Sequence, residues 1–302
     1  MKTLNILLAL AACLPLAALA QTHPLNDTGT TWSGHAIDGN AANCDAAHPA
    51  RQDCRYGRDA AAMSGKLAKT GASSPDVNPA DPLYGRPNGF DYTKISNSGN
   101  PLPHTAALGT GPDDWACTRD NLTGLVWEVK TTSGLRSKDH MYLWFDSTKP
   151  PGYQGTASVD HWDWYDDYYE QTGEEWADPS IRHDICEVDG RCDTEKYVAD
   201  VNATHLCGAS NWRMPKQREL AGIIDWGREG IGADPWFFPN IPDGHRWYGV
   251  SRVWTASIRS LNEGPYPVGV ISFQGSWISW SVFSYEDVNY GWRGHSVILV
   301  RN

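Results

Sequence analysis

Seven cysteines are placed so that Cys13 falls inside an apolar N-terminal stretch and six follow it: Cys44, Cys54, Cys117, Cys186, Cys192 and Cys207. An even set in an exported chain reads as a disulfide framework, and each bridge brings two points of the chain to within about 7 Å. Cys44 with Cys54 and Cys186 with Cys192 each bracket a short stretch, and short loops are the easiest to close. That leaves Cys117 for Cys207, a bridge that closes the longest loop. The competing use of such residues is a metal site. Zinc is disfavoured because the chain has no C-x-x-C pair and no histidines paired at ligand spacing. No metal and no cofactor is expected.

Export is read from the first twenty residues. Met1 and Lys2 give a positive start, Leu4–Ala12 (Asn5 apart) and Leu16–Ala20 are apolar, and Ala18-Leu19-Ala20 has the small-x-small form that signal peptidase cuts. Cleavage after Ala20 is the preferred reading. Leu10-Ala11-Ala12-Cys13 also resembles a lipobox, which would make Cys13 a lipidated anchor, but residues 14–20 stay apolar where a lipoprotein turns polar. No later stretch is long and apolar enough to span a bilayer. The expected location is therefore secreted, periplasmic or at the cell surface. The expected organisation is a signal peptide at 1–20, a loop-rich region at 21–114 packing on the domain, and one domain at 115–302.

Charge narrows the partners. A formal net charge of −11 argues against nucleic acid and against charge-driven binding to polyanions. Tryptophan is abundant at 15 residues, and its flat ring with one polar edge serves cores, interfaces and sugar-stacking platforms alike. Abundance alone does not choose among these.

Local patterns suggest a mixed architecture. Asp59–Lys69 has helix-forming composition, weakened by Gly65. Residues 70–114 carry repeated Pro, Gly and Asn and read as a cover or linker. Gly124–Lys130 reads as a strand with Leu125, Trp127 and Val129 on one face, entered by a turn at Asn121-Leu-Thr-Gly. Asn26–Trp32 echoes Asn121–Trp127 at four of seven positions. Asp193 can cap a helix running to about Leu206, with Val198, Val201 and Leu206 inward and Tyr197 at the margin. A second helix is expected from Pro215 to about Trp226, with Leu220, Ile223 and Ile224 facing the core. Strands are expected at 252–257, 268–273, 277–283 and 296–301. Two helices on a mostly antiparallel sheet make an α+β fold. Trp127, Trp212 and Trp254 are expected in the core.

Three blocks carry a family resemblance. D-N-L-T-G-L-V-W-E-V-K (120–130), C-D-T-E-K-Y-V-A-D-V-N (192–202) and L-C-G-A-S-N-W-R-M-P-K-Q-R-E-L (206–220) resemble the Lcl C-terminal domain family, named for a Legionella collagen-like adhesin. The ending S-V-I-L-V-R (296–301) resembles its closing strand. The upstream P-L-N-D-T-G (24–29) and Y-G-R-D-A-A (56–61) resemble segments that precede the domain in exported members. The W-R-M-P…E-L block is similar to one in formylglycine-generating enzymes, which implies a C-type-lectin-like fold. The named adhesin binds sulfated glycosaminoglycans, a ligand class at odds with this acidic chain. The collagen-like repeat is absent from the sequence.

Catalytic readings find little support. Formylglycine chemistry needs late reactive cysteines, and none follows Cys207. His140, His161, His183 and His205 form no metal-binding motif, and no G-x-S-x-G occurs. Lectin-type calcium strings are missing. Asp287 and Asn289 are read as turn residues rather than calcium ligands, and Arg213 as the partner of a carboxylate such as Glu219. The expected function is a non-catalytic, adhesin-like binding module for a glycan or another surface macromolecule. A self-assembling envelope protein is the alternative, and an enzyme ranks third. The expected ligand face is 160–178, which concentrates Trp162, Trp164, Tyr165, Tyr168 and Trp176 among acidic residues. That much charge must stay at the surface, where flat rings can stack on sugar.

Overall fold

A computed structural model describes residues 27–29, 33–35, 39–41, 57–69, 89–158, 186–227, 231–242, 252–258, 267–273, 283–287 and 294–302. A short antiparallel pair, β1 (Ser33–His35) and β2 (Gly39–Ala41), comes first, followed by helix α1 (Arg58–Met63). The helix stops short of Lys69 because Gly65 turns out of it at φ +68°.

The central sheet has five strands in the order β10-β6-β5-β3-β4, every pair antiparallel. These are β3 (Tyr92–Ser96), β4 (Pro101–Leu102), β5 (Trp115–Asp120), β6 (Val126–Glu128) and β10 (Val300–Arg301). The β5–β6 turn forms as its composition suggests. Asp120 Oδ1 accepts the Leu122 and Thr123 N–H groups at 2.9 and 3.3 Å, and Gly124 takes the left-handed conformation.

The stretch read as cover or linker corrects the sequence reading, because it contains β3, an inner strand of this sheet. Asp91-Tyr-Thr-Lys-Ile-Ser lacks an apolar alternation, yet all five residues of β3 are buried. Its polar side chains are satisfied in place: Thr93 donates to Asn121 at 3.0 Å, and Lys94 Nζ donates to the Ala106 carbonyl at 2.9 Å.

Both faces of the sheet are covered, so β6 is buried throughout rather than on alternate residues. Tyr92 and Trp127 join one core with Leu220, Ile223, Phe237 and Ile271. Ile95, Cys117 and Val126 join the other with Tyr142, Tyr197, Val201, Trp212 and Trp254. Trp127, Trp212 and Trp254 are thus core residues, 1%, 2% and 1% exposed. A second antiparallel sheet, β7 (Arg252–Ile258), β8 (Pro267–Ser272) and β9 (Phe283–Asp287), sends Val253 into the first core and Trp254 into the second. β9 starts where the expected 277–283 strand ends; 277–282 lie outside the described residues.

Helix α2 (Thr194–Ala203) begins at Asp193, whose side chain accepts the Lys196 N–H at 2.8 Å. It ends before Leu206 because His205 and Cys207 adopt left-handed backbone, at φ 53° and 51°, around a 3-10 turn at Leu206–Gly208. Tyr197 is at the centre of the buried face rather than its margin, fully buried against Tyr142 with ring centroids 4.5 Å apart. Helix α3 is only Gln217–Ala221. Beyond it the chain tightens into i→i+3 turns, Ile223 N–H to Leu220 and Ile224 N–H to Ala221, which still bury Leu220, Ile223 and Ile224. The overall fold is α+β, with few helices and antiparallel sheets.

Candidate functional site

The aromatic-acidic segment, with Trp162, Trp164, Tyr165, Tyr168 and Trp176, lies outside the described residues, as do Cys44 and Cys54. Ser158 and Cys186, the described residues on either side of 159–185, are both fastened to the start of α2. At the outgoing end, Ser158 N–H donates to Asp193 Oδ2 at 3.0 Å. Lys196 Nζ donates to the Ser158 carbonyl and, at 2.9 Å, to that of Gly190. Asp193 is fully buried, so one carboxylate caps the helix, holds Ser158 and pairs with Lys196 at 3.2 Å. At the returning end, Cys186 is bonded to Cys192, the residue before Asp193.

The approach to this clamp is laid down by residues 143–156. Leu143 N–H donates to Cys192 at 2.8 Å and Thr194 N–H returns to Leu143 at 2.9 Å. Thr194 Oγ1 accepts from Phe145 N–H at 3.0 Å and donates to the Phe145 carbonyl at 2.8 Å. Trp144 is buried, its indole N–H on the Thr255 carbonyl at 3.0 Å. Phe145 bridges Gly155, where a Cβ would stand 2.2 Å from the Trp144 carbonyl, so only glycine lets the loop fold back here.

Other site residues fall where their chemistry puts them. Cys117 and Cys207 are joined, tying β5 to the end of α2 across 90 positions. Arg213 makes a forked pair with Glu219 at 2.8 and 2.9 Å, and Glu219 also accepts the Lys216 N–H at 2.7 Å. Those donors hold the Glu219 carboxyl below the usual carboxylate range against the opposing effect of burial. Asp287 lies in β9 and Asn289 outside the described residues. His140 stands 3.8 Å from Glu187, and among the described residues no group of three or more His, Cys, Asp or Glu could hold a metal ion.

Two polar clusters escaped the sequence reading. Glu128, Lys130 and Tyr197 meet inside the second core, all essentially unexposed. Tyr197 donates its O–H to Glu128 Oε1, Lys130 Nζ reaches Tyr197 at 2.8 Å and Glu128 at 3.3 Å, and Leu299 N–H donates to Glu128 Oε2 at 2.9 Å. Desolvation lowers the Lys130 pKa despite Glu128 and raises that of Tyr197. Lys94 forms the second cluster, its ammonium 3.8 Å from the Trp115 ring centroid and 5.3 Å from that of Trp236. Desolvation brings it down to about 8, with Asp234 opposing. Glu128 and Lys130 are two residues apart on one strand, but Tyr197 joins them from 67 positions away, and Lys94 meets Trp115 and Trp236 from distant parts of the chain, so local spacing did not announce either cluster.

The blocks at 120–130, 192–202 and 206–220 now fall on the β5–β6 turn with β6, on α2, and on the Cys207 corner with α3, all built around the two cores. Residues 116–301 match the family model of the Lcl C-terminal domain. The chain belongs to the Lcl C-terminal domain family. No curated protein and no solved structure matches it. The Lcl C-terminal domain match opens within β5, yet β3 and β4 complete the same sheet from residues before it. Segments further upstream also touch the matched part: Trp226 N–H donates to the Thr28 carbonyl at 2.7 Å. Among the described residues no helix is long and apolar enough to cross a membrane.

Proposed function

We propose that this protein is a secreted or envelope-associated, non-catalytic binding module of C-type-lectin-like fold, adhesin-like, whose ligand is a glycan or another surface macromolecule. Its ligand face is the segment 160–178. The observation that carries the reading is the double clamp on α2, Ser158 on Asp193 and Lys196, and Cys186 on Cys192. An insertion rich in Trp, Tyr and carboxylates gains affinity if its ends are held, because less chain entropy is lost on binding. The family adds support, since it is named for a surface adhesin. The acidity of the segment and of the whole chain suits neutral or basic partners.

The test replaces residues 160–178 with a short Gly/Ser bridge, which the clamp allows without moving its two ends. Glycan-array and cell-adhesion signals are compared with those of the intact chain, and urea unfolding checks the fold. Loss of competable binding with unfolding unchanged supports the reading. Retained binding by the folded deletion variant overturns it. Concentration-dependent growth in size-exclusion chromatography, with no glycan signal from either protein, would favour self-assembly instead.

A further inference from the structure

The register of the central sheet lines up two arginines. Arg119 of β5 and Arg301 of β10 both pair with Val126 of β6, one from each side. Residues so paired share a sheet face, and two strand spacings put their backbones about 10 Å apart, within reach of two long side chains. Both are only partly exposed. They lie at the rim of the second core, where the Arg301 guanidinium sits 5.6 Å from the Trp212 ring centroid.

Among the described residues no ion pair offsets the two charges. No hydrogen bond or ion pair engages the Arg119 side chain among the described residues. Among the described residues Arg301 Nη1 reaches the main-chain oxygen of Asn302, at 3.3 Å, and Arg301 Nε is buried without an acceptor. The neighbouring Arg213 is already spent on Glu219 and on Asn302 Oδ1 at 3.0 Å. A buried guanidinium donor without an acceptor is costly, and two like charges side by side add to that cost. Desolvation and, next, the charge of Arg119 both press the Arg301 pKa below the ordinary arginine value. In a chain of net charge −11, such a spot is conspicuous.

We propose that Arg119 and Arg301 form a binding site for a carboxylate, separate from the aromatic segment, in which one planar group takes N–H donors from both guanidiniums. Two forks beside one line of the sheet match the two oxygens of a carboxylate, and the bound anion gives the terminal guanidinium nitrogens an acceptor and separates the like charges. Thr93, paired with Arg119 in the sheet, and Asn121, bonded to it, border the site on the β3 side.

The test follows the arginine side-chain N–H signals of the full chain by NMR. The probes are succinate, a free acid, and N-acetylglutamate amide, a peptide-like carboxylate, with N-acetylglutamine amide as the uncharged control. The expected result is saturable shifts of Arg119 and Arg301 with one or both acids and none with the control. Tighter binding of succinate points to a free acid as the source, and tighter binding of the glutamate amide to an acidic side chain. Arg119→Gln should weaken binding about tenfold or more with the thermal midpoint unchanged or raised, because among the described residues that side chain makes no hydrogen bond and its loss removes the like charge beside Arg301. Arg119→Lys should recover part of the affinity. No saturable shift, an equal response to the control, or an unchanged affinity in the folded Arg119→Gln variant overturns the proposal. So does inorganic sulfate binding more tightly than either acid.

Discussion

Replacing Glu128 by glutamine removes one charge and no volume, so it isolates the buried ion pair. The carboxylate accepts from Tyr197 and Lys130 on Oε1 and from Leu299 N–H on Oε2. An amide has one oxygen. Turned toward Tyr197 and Lys130, it sets its NH2 against the Leu299 N–H; turned the other way, it faces two donors with a donor. Either orientation orphans at least one buried group, at roughly 1–3 kcal/mol. Lys130 also loses its counter-charge, and breaking a buried pair from one side costs about 3–5 kcal/mol in total. Lys130 already has a lowered pKa with Glu128 present. Without it the ammonium sheds its proton more readily, which caps the loss and makes Glu128→Gln relatively less damaging as pH rises. Lys130→Met should cost a similar amount, because it leaves the carboxylate buried and uncompensated. Glu128→Gln/Lys130→Met together should cost about 2 kcal/mol less than the sum of the two. Urea unfolding followed by tryptophan fluorescence measures all four proteins with disulfides intact. A Glu128→Gln loss under about 1 kcal/mol, or strict additivity in the double variant, would refute the argument.

Cys117→Ser/Cys207→Ser opens a loop of 90 positions and should cost about 4.5 kcal/mol in the chain-entropy model, read from urea midpoints of oxidised wild type and variant. Trp127→Ala should cost about 3–5 kcal/mol by leaving a cavity. Trp127→Phe should be milder than Trp254→Phe in the same assay, because the Trp127 indole N–H has no acceptor while that of Trp254 donates to the Tyr142 carbonyl at 2.7 Å. Lys94 titrates at about 8 when folded, against 10.5 for an ordinary lysine. Above pH 8 the unfolded chain therefore binds more protons, and stability should rise by at most about 2 kcal/mol toward pH 10. Beyond that it should fall, because burial raises the pKa values of Tyr92, Tyr142 and Tyr197 and only the unfolded chain ionises them. Lys94→Met should reduce the rise, leaving the part that Lys130, whose pKa burial also lowers, contributes; unfolding midpoints that climb equally in this variant would assign the effect elsewhere.

How much was legible in the sequence depended on the range of the interaction. The Asp193 cap, the Gly124 turn and the Arg213–Glu219 fork join residues a few positions apart, and each was visible in its residue types. The Cys186–Cys192 and Cys117–Cys207 bridges followed from loop closure once the cysteines were counted. Trp127 followed from the apolar face of its strand, Trp212 from its place at the corner beside Cys207, and Trp254 from the β-rich stretch around it. Helix ends were less visible: α3 stops at Ala221 because tertiary burial of Ile223 and Ile224 suits tighter turns than a continued helix.

By itself, then, the sequence determined an acidic, disulfide-bonded α+β chain of the Lcl C-terminal domain family and the places where its turns and caps form, because those depend on composition and near neighbours. Only the tertiary structure placed β3 inside the sheet, since a strand buried on both faces needs no alternating pattern and is recruited by its partners. Only the tertiary structure buried Glu128 with Lys130 and Tyr197, fastened Ser158 and Cys186, on either side of 159–185, to one helix start, and aligned Arg119 with Arg301 across Val126. These depend on strand register and loop return, which bring together parts of the chain far apart in sequence.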